Sequence, residues 1–203
     1  MKETIKLIAV LTIICLGAGM LLAVVNSVTA DPIRRAERAE KMAAISRVLP
    51  PHDNSPDESV CRVVDQQVPW TFYVATAAGQ YAGAAVETVS EKGYGGAVSV
   101  MVGFNKGGEV QAVEILKQKE TPGLGAKITE QFFKQGFSGR SIRTTNWAVR
   151  KDGGDIDHIT AATISSRAVV EAVAQACRVY LLNEIEVART AAQNLGPQAG
   201  KKQ

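Results

Sequence analysis

The sequence predicts an α+β protein: a single N-terminal transmembrane helix, then one domain of antiparallel strands with helices. Three observations carry this. Leu7 to Val25 reads LIAVLTIICLGAGMLLAVV, without a charged side chain. From Cys61 onward, short apolar blocks alternate with glycine-bearing turns. Further on, DHITAATISSRAVVEAV sets hydroxyls and a carboxylate directly before an apolar run at helical spacing. Strands with a few intervening helices point to the α+β class.

Extended to Val28, the apolar run is long enough to cross a hydrocarbon core as a helix. Its polar side chain within Leu7 to Val25, Thr12, can bond back to its own helix. A cleaved signal peptide has a shorter core of roughly 7–15 residues. Length therefore favours an uncleaved anchor over residues 1–30, although Val28-Thr29-Ala30 has the small residues of a cleavage site. Asp31 and Pro32 suit the cap and first position of a second helix, which Pro50-Pro51 would stop. Its thin, alanine-rich face suggests a stalk over 31–50, or a helix packed on a partner.

The domain is expected over 51–190. His52 to Pro56 is a loop. TFYVATA and AAVETV are strands, separated around Gly79 and Gly83. AVSVMVGFN and EVQAVEIL form a hairpin turned at Lys106-Gly107-Gly108. AKITEQFFKQGF is a short helix with Ile128, Phe132 and Phe133 on one side. IRTTNWAVR is a further strand and DGGDID a tight turn. The last helix places Val169, Val170, Val173, Cys177, Tyr180 and Leu181 at helical spacing. The polar tail over 191–203 is expected to be disordered.

Composition narrows the function classes. The chain has 203 residues and a net charge of only +3. It has no dense basic block and no basic–aromatic interleaving, which argues against nucleic acid. Of three cysteines, Cys15 lies in the span, and Cys61 and Cys177 lie far apart. Without a CxxC or His–Cys spacing, neither an iron–sulfur cluster nor a zinc site is expected. Cys61 and Cys177 either pair in an extracytoplasmic domain or stay as buried thiols. His52 and His158 have no serine or cysteine partner at a triad spacing. The carboxylates of DGGDID lack the remainder of a calcium loop. No catalytic residue and no metal ligand set are assigned.

Two stretches are candidates for binding. In KETPGLGAK, Pro122-Gly123 predicts a type II turn. Either it is only a turn, or Gly123 and Gly125 make a bare backbone ledge for a planar ring, with Glu120 and Thr121 at the ring's edge. In the second, Thr160 is placed as a helix cap and Ala161 and Ala162 leave the backbone open. Thr163 falls in the first turn, where the helix dipole favours a phosphate. Arg167 is expected on the same face, able to pair with an anion. The competing reading is a hydroxyl-rich cap without a ligand.

Taken together and in order, the span, Glu120 to Gly125 (ETPGLG), DGG, and Asp157 to Thr163 (DHITAAT) resemble the FMN-binding domain family. Within it, the chain is most similar to the G subunits of Rnf (Rsx) ion-translocating electron-transport complexes. The resemblance implies FMN attached covalently, through a phosphoester to Thr163. It implies a flavin transferase that makes the link from FAD with magnesium and reads Asp157. The cofactor-binding positions it implies are Glu120, Thr121, Gly123, Leu124, Gly125 and Lys127 in the first motif. In the second they are Asp157, Thr160, Ala162, Thr163, Ile164, Ser165 and Ser166.

The implied activity is an electron relay without a substrate of its own, in a complex that passes electrons between ferredoxin and NAD and moves sodium ions or protons. The implied partners are the other Rnf subunits, the flavin transferase and membrane lipid. The implied location is the bacterial inner membrane, single-pass, with the domain on the outer face. The charge count points the other way: Lys2 and Lys6 precede the span, and Arg34, Arg35, Arg38 and Lys41 follow it. That rule is a bias, and large domains translocate despite flanking charge. Two departures from the family pattern stand out. Ala161 replaces its usual glycine, with modification expected to survive provided φ is negative there. Gln118 holds a position where the family often has histidine. The alternatives are the C subunit of the sodium-translocating NADH:quinone reductase, usually longer, and an anchored binding or scaffold subunit without a redox role.

Overall fold

The computed structural model describes residues 2–194. Its first element, α1 (Lys2–Val48), runs through Asp31-Pro32 without a break. The expected second helix start is therefore corrected: Asp31 pairs with Arg34 at 2.7 Å instead of opening a new segment. A proline costs a helix about 3 kcal/mol without having to end it, and the alanine-, glutamate- and arginine-rich run that follows favours helix. The described residues fall into two compact units, the first ending at Lys41 and the second beginning at Met42. In the first, α1 is long and apolar enough to cross a membrane, and Leu7, Ile14 and Leu21 stand fully outward. Thr12 Oγ1 donates to the Ile8 carbonyl at 2.8 Å, as its placement requires.

The second unit is built on an antiparallel meander. Its strands are β1 (Val60–Asp65), β2 (Val68–Ala77), β3 (Gln80–Ser90), β4 (Val98–Asn105) and β5 (Val110–Lys117), in that spatial order. The β4–β5 hairpin turns where glycines predicted it: Asn105 N–H donates to the Glu109 carbonyl at 2.9 Å. Seven of the eight residues of β4, from Val98 to Phe104, are buried, because both faces of the sheet are covered. On one face lies α3 (Thr163–Asn194), with Val169, Val173 and Tyr180 in one core with Phe72, Val86, Val100 and Phe104. The Tyr180 ring stacks on Phe104 at 4.3 Å. On the other face, Ala44, Ile45, Val48 and Leu49 meet Ala75, Ala85 and Met101. Gly103 permits this approach: a Cβ there would lie 2.0 Å from the Val48 carbonyl oxygen.

Three local readings are corrected. Residues 125–137 are not one helix but a 3-10 turn (Gly125–Thr129), the single turn α2 (Gln131–Lys134) and a second 3-10 turn (Gln135–Phe137). Extended Glu130 (ψ 145°) interrupts the spiral. The buried set becomes Ile128, Phe133 and Phe137, and Phe132 is 60% exposed. Residues 142–150 form no strand. The N–H of Thr145 turns back to the Ser141 carbonyl at 3.1 Å, and that of Asn146 goes to Asp155 Oδ2 at 2.7 Å. Only an isolated bridge, Val149 to Ile156, remains. Finally, α3 continues to Asn194, past the expected start of the tail; residues 195–203 lie outside the described residues. Cys61 and Cys177 are both free and buried, and burial pushes the Cys177 thiol up to about 12.

Candidate functional site

Three loops converge on the N-terminal end of α3: residues 91–97 between β3 and β4, the segment after β5, and the approach to Thr163. Glu120 ties them together. It is only 5% exposed. Its Oε1 accepts the Gly95 N–H at 3.1 Å, and its Oε2 accepts the Ser165 hydroxyl at 2.5 Å. Gln118 Oε1 accepts the Glu120 N–H at 2.6 Å. Glu120 was expected at the edge of a ring. Each of its oxygens already accepts one bond from a protein donor.

The turn that follows is type II, as read: Leu124 N–H reaches the Thr121 carbonyl at 3.2 Å, and Gly123 has φ 75°. Each glycine also has a need of its own in the backbone and its packing. Gly123 is required by its positive φ. Gly125 makes room for the buried bond, since a Cβ there would lie 2.6 Å from both Glu120 Oε2 and Ser165 Oγ.

The helix entry also differs from expectation. No side-chain hydrogen bond from Thr160 caps α3 among the described residues; the entry is instead tied down by Ser166, which is fully buried. Its Oγ accepts the Ile159 N–H at 3.0 Å and donates to the Ala162 carbonyl at 3.0 Å. Ala161 has φ 63°. The condition placed on it, a negative φ, is not met, and the left-handed conformation there is one that glycine adopts freely. The first helical bond runs from Ser166 N–H to the Ala162 carbonyl at 3.1 Å. The N–H groups of Thr163, Ile164 and Ser165 thus lie ahead of it without an intrahelical acceptor.

Nearby charges are spoken for. Arg167 was expected to serve an anion at Thr163. It grips Asp152 with two bonds of 2.7 Å, and that hydrogen bonding holds the Asp152 carboxyl below the usual range. Asp157 is exposed and paired with Arg150 at 2.8 Å.

A cleft of about 510 Å³ opens at this junction. Its walls bring together Glu120, Thr121, Leu124 and Gly125 from the first motif and Ala162, Thr163, Ile164 and Ser165 from the second. They add Ala161 and Tyr94. Tyr94 was missed by the sequence reading; its one signal is an aromatic set among glycines, GYGG. Gly123, Lys127, Asp157, Thr160 and Ser166 do not line the cleft. The volume suits a cofactor-sized ligand. Free N–H groups and the positive end of the dipole of α3 suit a phosphate beside the Thr163 hydroxyl. Apolar Leu124 and Ile164 suit a ring. The residues present therefore fit a flavin mononucleotide.

Comparison with known proteins agrees. Residues 93–178 match the family of the FMN-binding domain. The chain is 35% identical over 193 residues to the G subunit of the ion-translocating oxidoreductase complex of Shewanella baltica, covering 89% of this chain and 90% of that protein. It is 33% identical over 190 residues to the G subunit of the same complex from Aliivibrio fischeri, covering 88% and 90%. Among solved structures, the C subunit of a Na(+)-translocating NADH-quinone reductase from Parabacteroides distasonis shares 25% identity, with a TM-score of 0.46, over 56% of this chain and 61% of that one.

Proposed function

The chain belongs to the family of G subunits of ion-translocating oxidoreductase complexes, and on that premise we propose that it is an electron relay with FMN held as a phosphoester on Thr163. The observation that carries this reading is the position of Thr163. Its side chain stands on the cleft wall at the open end of α3, beside the TPGLG turn. A phosphodiester retains one negative charge. The unpaired N–H groups of the first turn receive it, and the helix dipole adds to the attraction. Leu124 and Ile164 exclude water from the ring. Glu120, by bonding Gly95 and Ser165, holds the β3–β4 loop against the helix entry.

When bound, FMN supplies one- and two-electron redox chemistry, and the open cleft lets a neighbouring carrier approach it. The chain itself turns over no substrate. Its partners are the other members of an Rnf complex linking ferredoxin and NAD to movement of sodium ions or protons. A flavin transferase matures it, and Asp157, exposed outside the cleft, is available to be read by that enzyme. Its α1 anchors it in lipid of the bacterial inner membrane, with the domain on the outer face. Correspondence over 89% of the chain with a G subunit supports this assembly over the quinone-reductase relative.

The test is covalent flavin. The protein, coexpressed with a transferase, is run on a denaturing gel and viewed under ultraviolet light, and the modified peptide is mapped by mass spectrometry. A fluorescent wild-type band and a dark Thr163→Ala band are expected, with unchanged melting of both. Fluorescence persisting in Thr163→Ala, or a dark wild type, rejects the proposal.

A further inference from the structure

Gly93, Gly95 and Gly96 surround Tyr94 in the β3–β4 loop. Two of these glycines are packed shut. A Cβ at Gly93 would lie 2.2 Å from the Gly96 carbonyl oxygen, and one at Gly95 would lie 1.8 Å from that of Lys119. The loop is thus seated against the segment leading into the TPGLG turn, and the Gly95 N–H is held by Glu120 Oε1 at 3.1 Å. From this fixed base Tyr94 projects onto the cleft wall, 71% exposed. It makes no hydrogen bond, ion pair or ring contact among the described residues. An aromatic side chain left in water on a firm support is poorly used surface until a ligand covers it. Among the described residues that line the cleft, it alone is aromatic.

We infer that Tyr94 covers one face of the flavin ring, stacking on it; this rests on the FMN reading above. Stacked rings of this kind sit with centroids about 4.5–7 Å apart. At that contact a phenol quenches flavin emission. An electron passes from the phenol ring to the excited flavin and returns, with no net chemistry. Phenylalanine stacks equally well but does not donate the electron.

The measurement is flavin emission per bound flavin, on the full-length flavinylated protein in detergent, before and after unfolding. Wild type should brighten several-fold on unfolding. Native Tyr94→Phe should already be several-fold brighter than native wild type, with the same melting temperature. Native Tyr94→Ala should be bright too, and more open to quenching by iodide. A native Tyr94→Phe as dim as wild type overturns the inference whatever Tyr94→Ala shows, as does a wild type already bright when folded. A wild-type protein without covalent flavin sinks both this inference and the proposed function. Flavin present with unchanged emission sinks this one alone.

Discussion

Replacing Ala161 by glycine should stabilise the protein. Ala161 holds φ 63°, a left-handed conformation that costs an L-residue with a Cβ about 1–2 kcal/mol. Glycine removes that cost but brings about 0.5–1 kcal/mol of extra unfolded-state freedom. The methyl group is exposed, so its loss forfeits little packing. The net gain lies between about 0 and 1.5 kcal/mol, centred on about 0.75 kcal/mol. At about 2–4 °C per kcal/mol for a unit of this size, a gain at that centre should raise Tm by about 1.5–3 °C. Thermal melts of the detergent-solubilised chain, followed by circular dichroism, read this directly. Ala161→Val supplies the opposite arm, because a β-branched residue tolerates positive φ worst. A glycine variant no more stable than wild type, together with a tolerated valine, would refute the reasoning.

The other expectations concern the junction and the core. Glu120→Ala leaves the Ser165 hydroxyl and the Gly95 N–H without their acceptor and should cost about 2–3 kcal/mol in urea denaturation; Glu120→Gln should cost clearly less, and equal losses would count against the junction. Phe137→Ala should cost about 3–5 kcal/mol and Phe132→Ala no more than about 0.5 kcal/mol, whereas a single helix over 126–137 would bury Phe132 beside Ile128 and Phe133; comparable losses would restore that helix. The Asp152 carboxyl is held low by Arg167, so its contribution is present above the unfolded value of about 3.9 and is lost as pH falls through the lowered folded value. The Tm advantage of wild type over Asp152→Asn should therefore shrink on titration from about pH 6 toward about pH 2; an advantage that stays constant throughout contradicts the ion pair.

What the sequence made legible was local. The hairpin at Asn105, the type II turn at Pro122-Gly123 and the apolar face of α3 each rest on a few adjacent residues whose backbone needs are written in their side chains. What it concealed was tertiary. Arg167 reaches back to Asp152 and not across to Thr163, because the DGG turn is delivered there by the bridge between Val149 and Ile156. That the bond between Glu120 and Ser165, 45 residues apart, occupies the Cβ space of Gly125 could not be read from either motif alone. Residues 142–150 carry a strand-like composition, but their backbone groups are taken up by Ser141, Asp155 and one another. Tyr94 could not be recognised because a lone aromatic among glycines acquires meaning only from what stands opposite.

The aromatic slot that holds Tyr180 governs more than the core. Tyr180 lies against Phe104 at 4.3 Å and Phe72 at 6.1 Å, roughly 25 Å along α3 from Thr163. A helix transmits position like a threaded rod. A slip of one residue in that slot advances the far end by about 1.5 Å and turns it by about 100°. Thr163 would then face away from the cleft, and Ile164 or Ala162 would take its bearing. The bearing of the Thr163 side chain is thus set about five turns away, by a tyrosine that never comes near it.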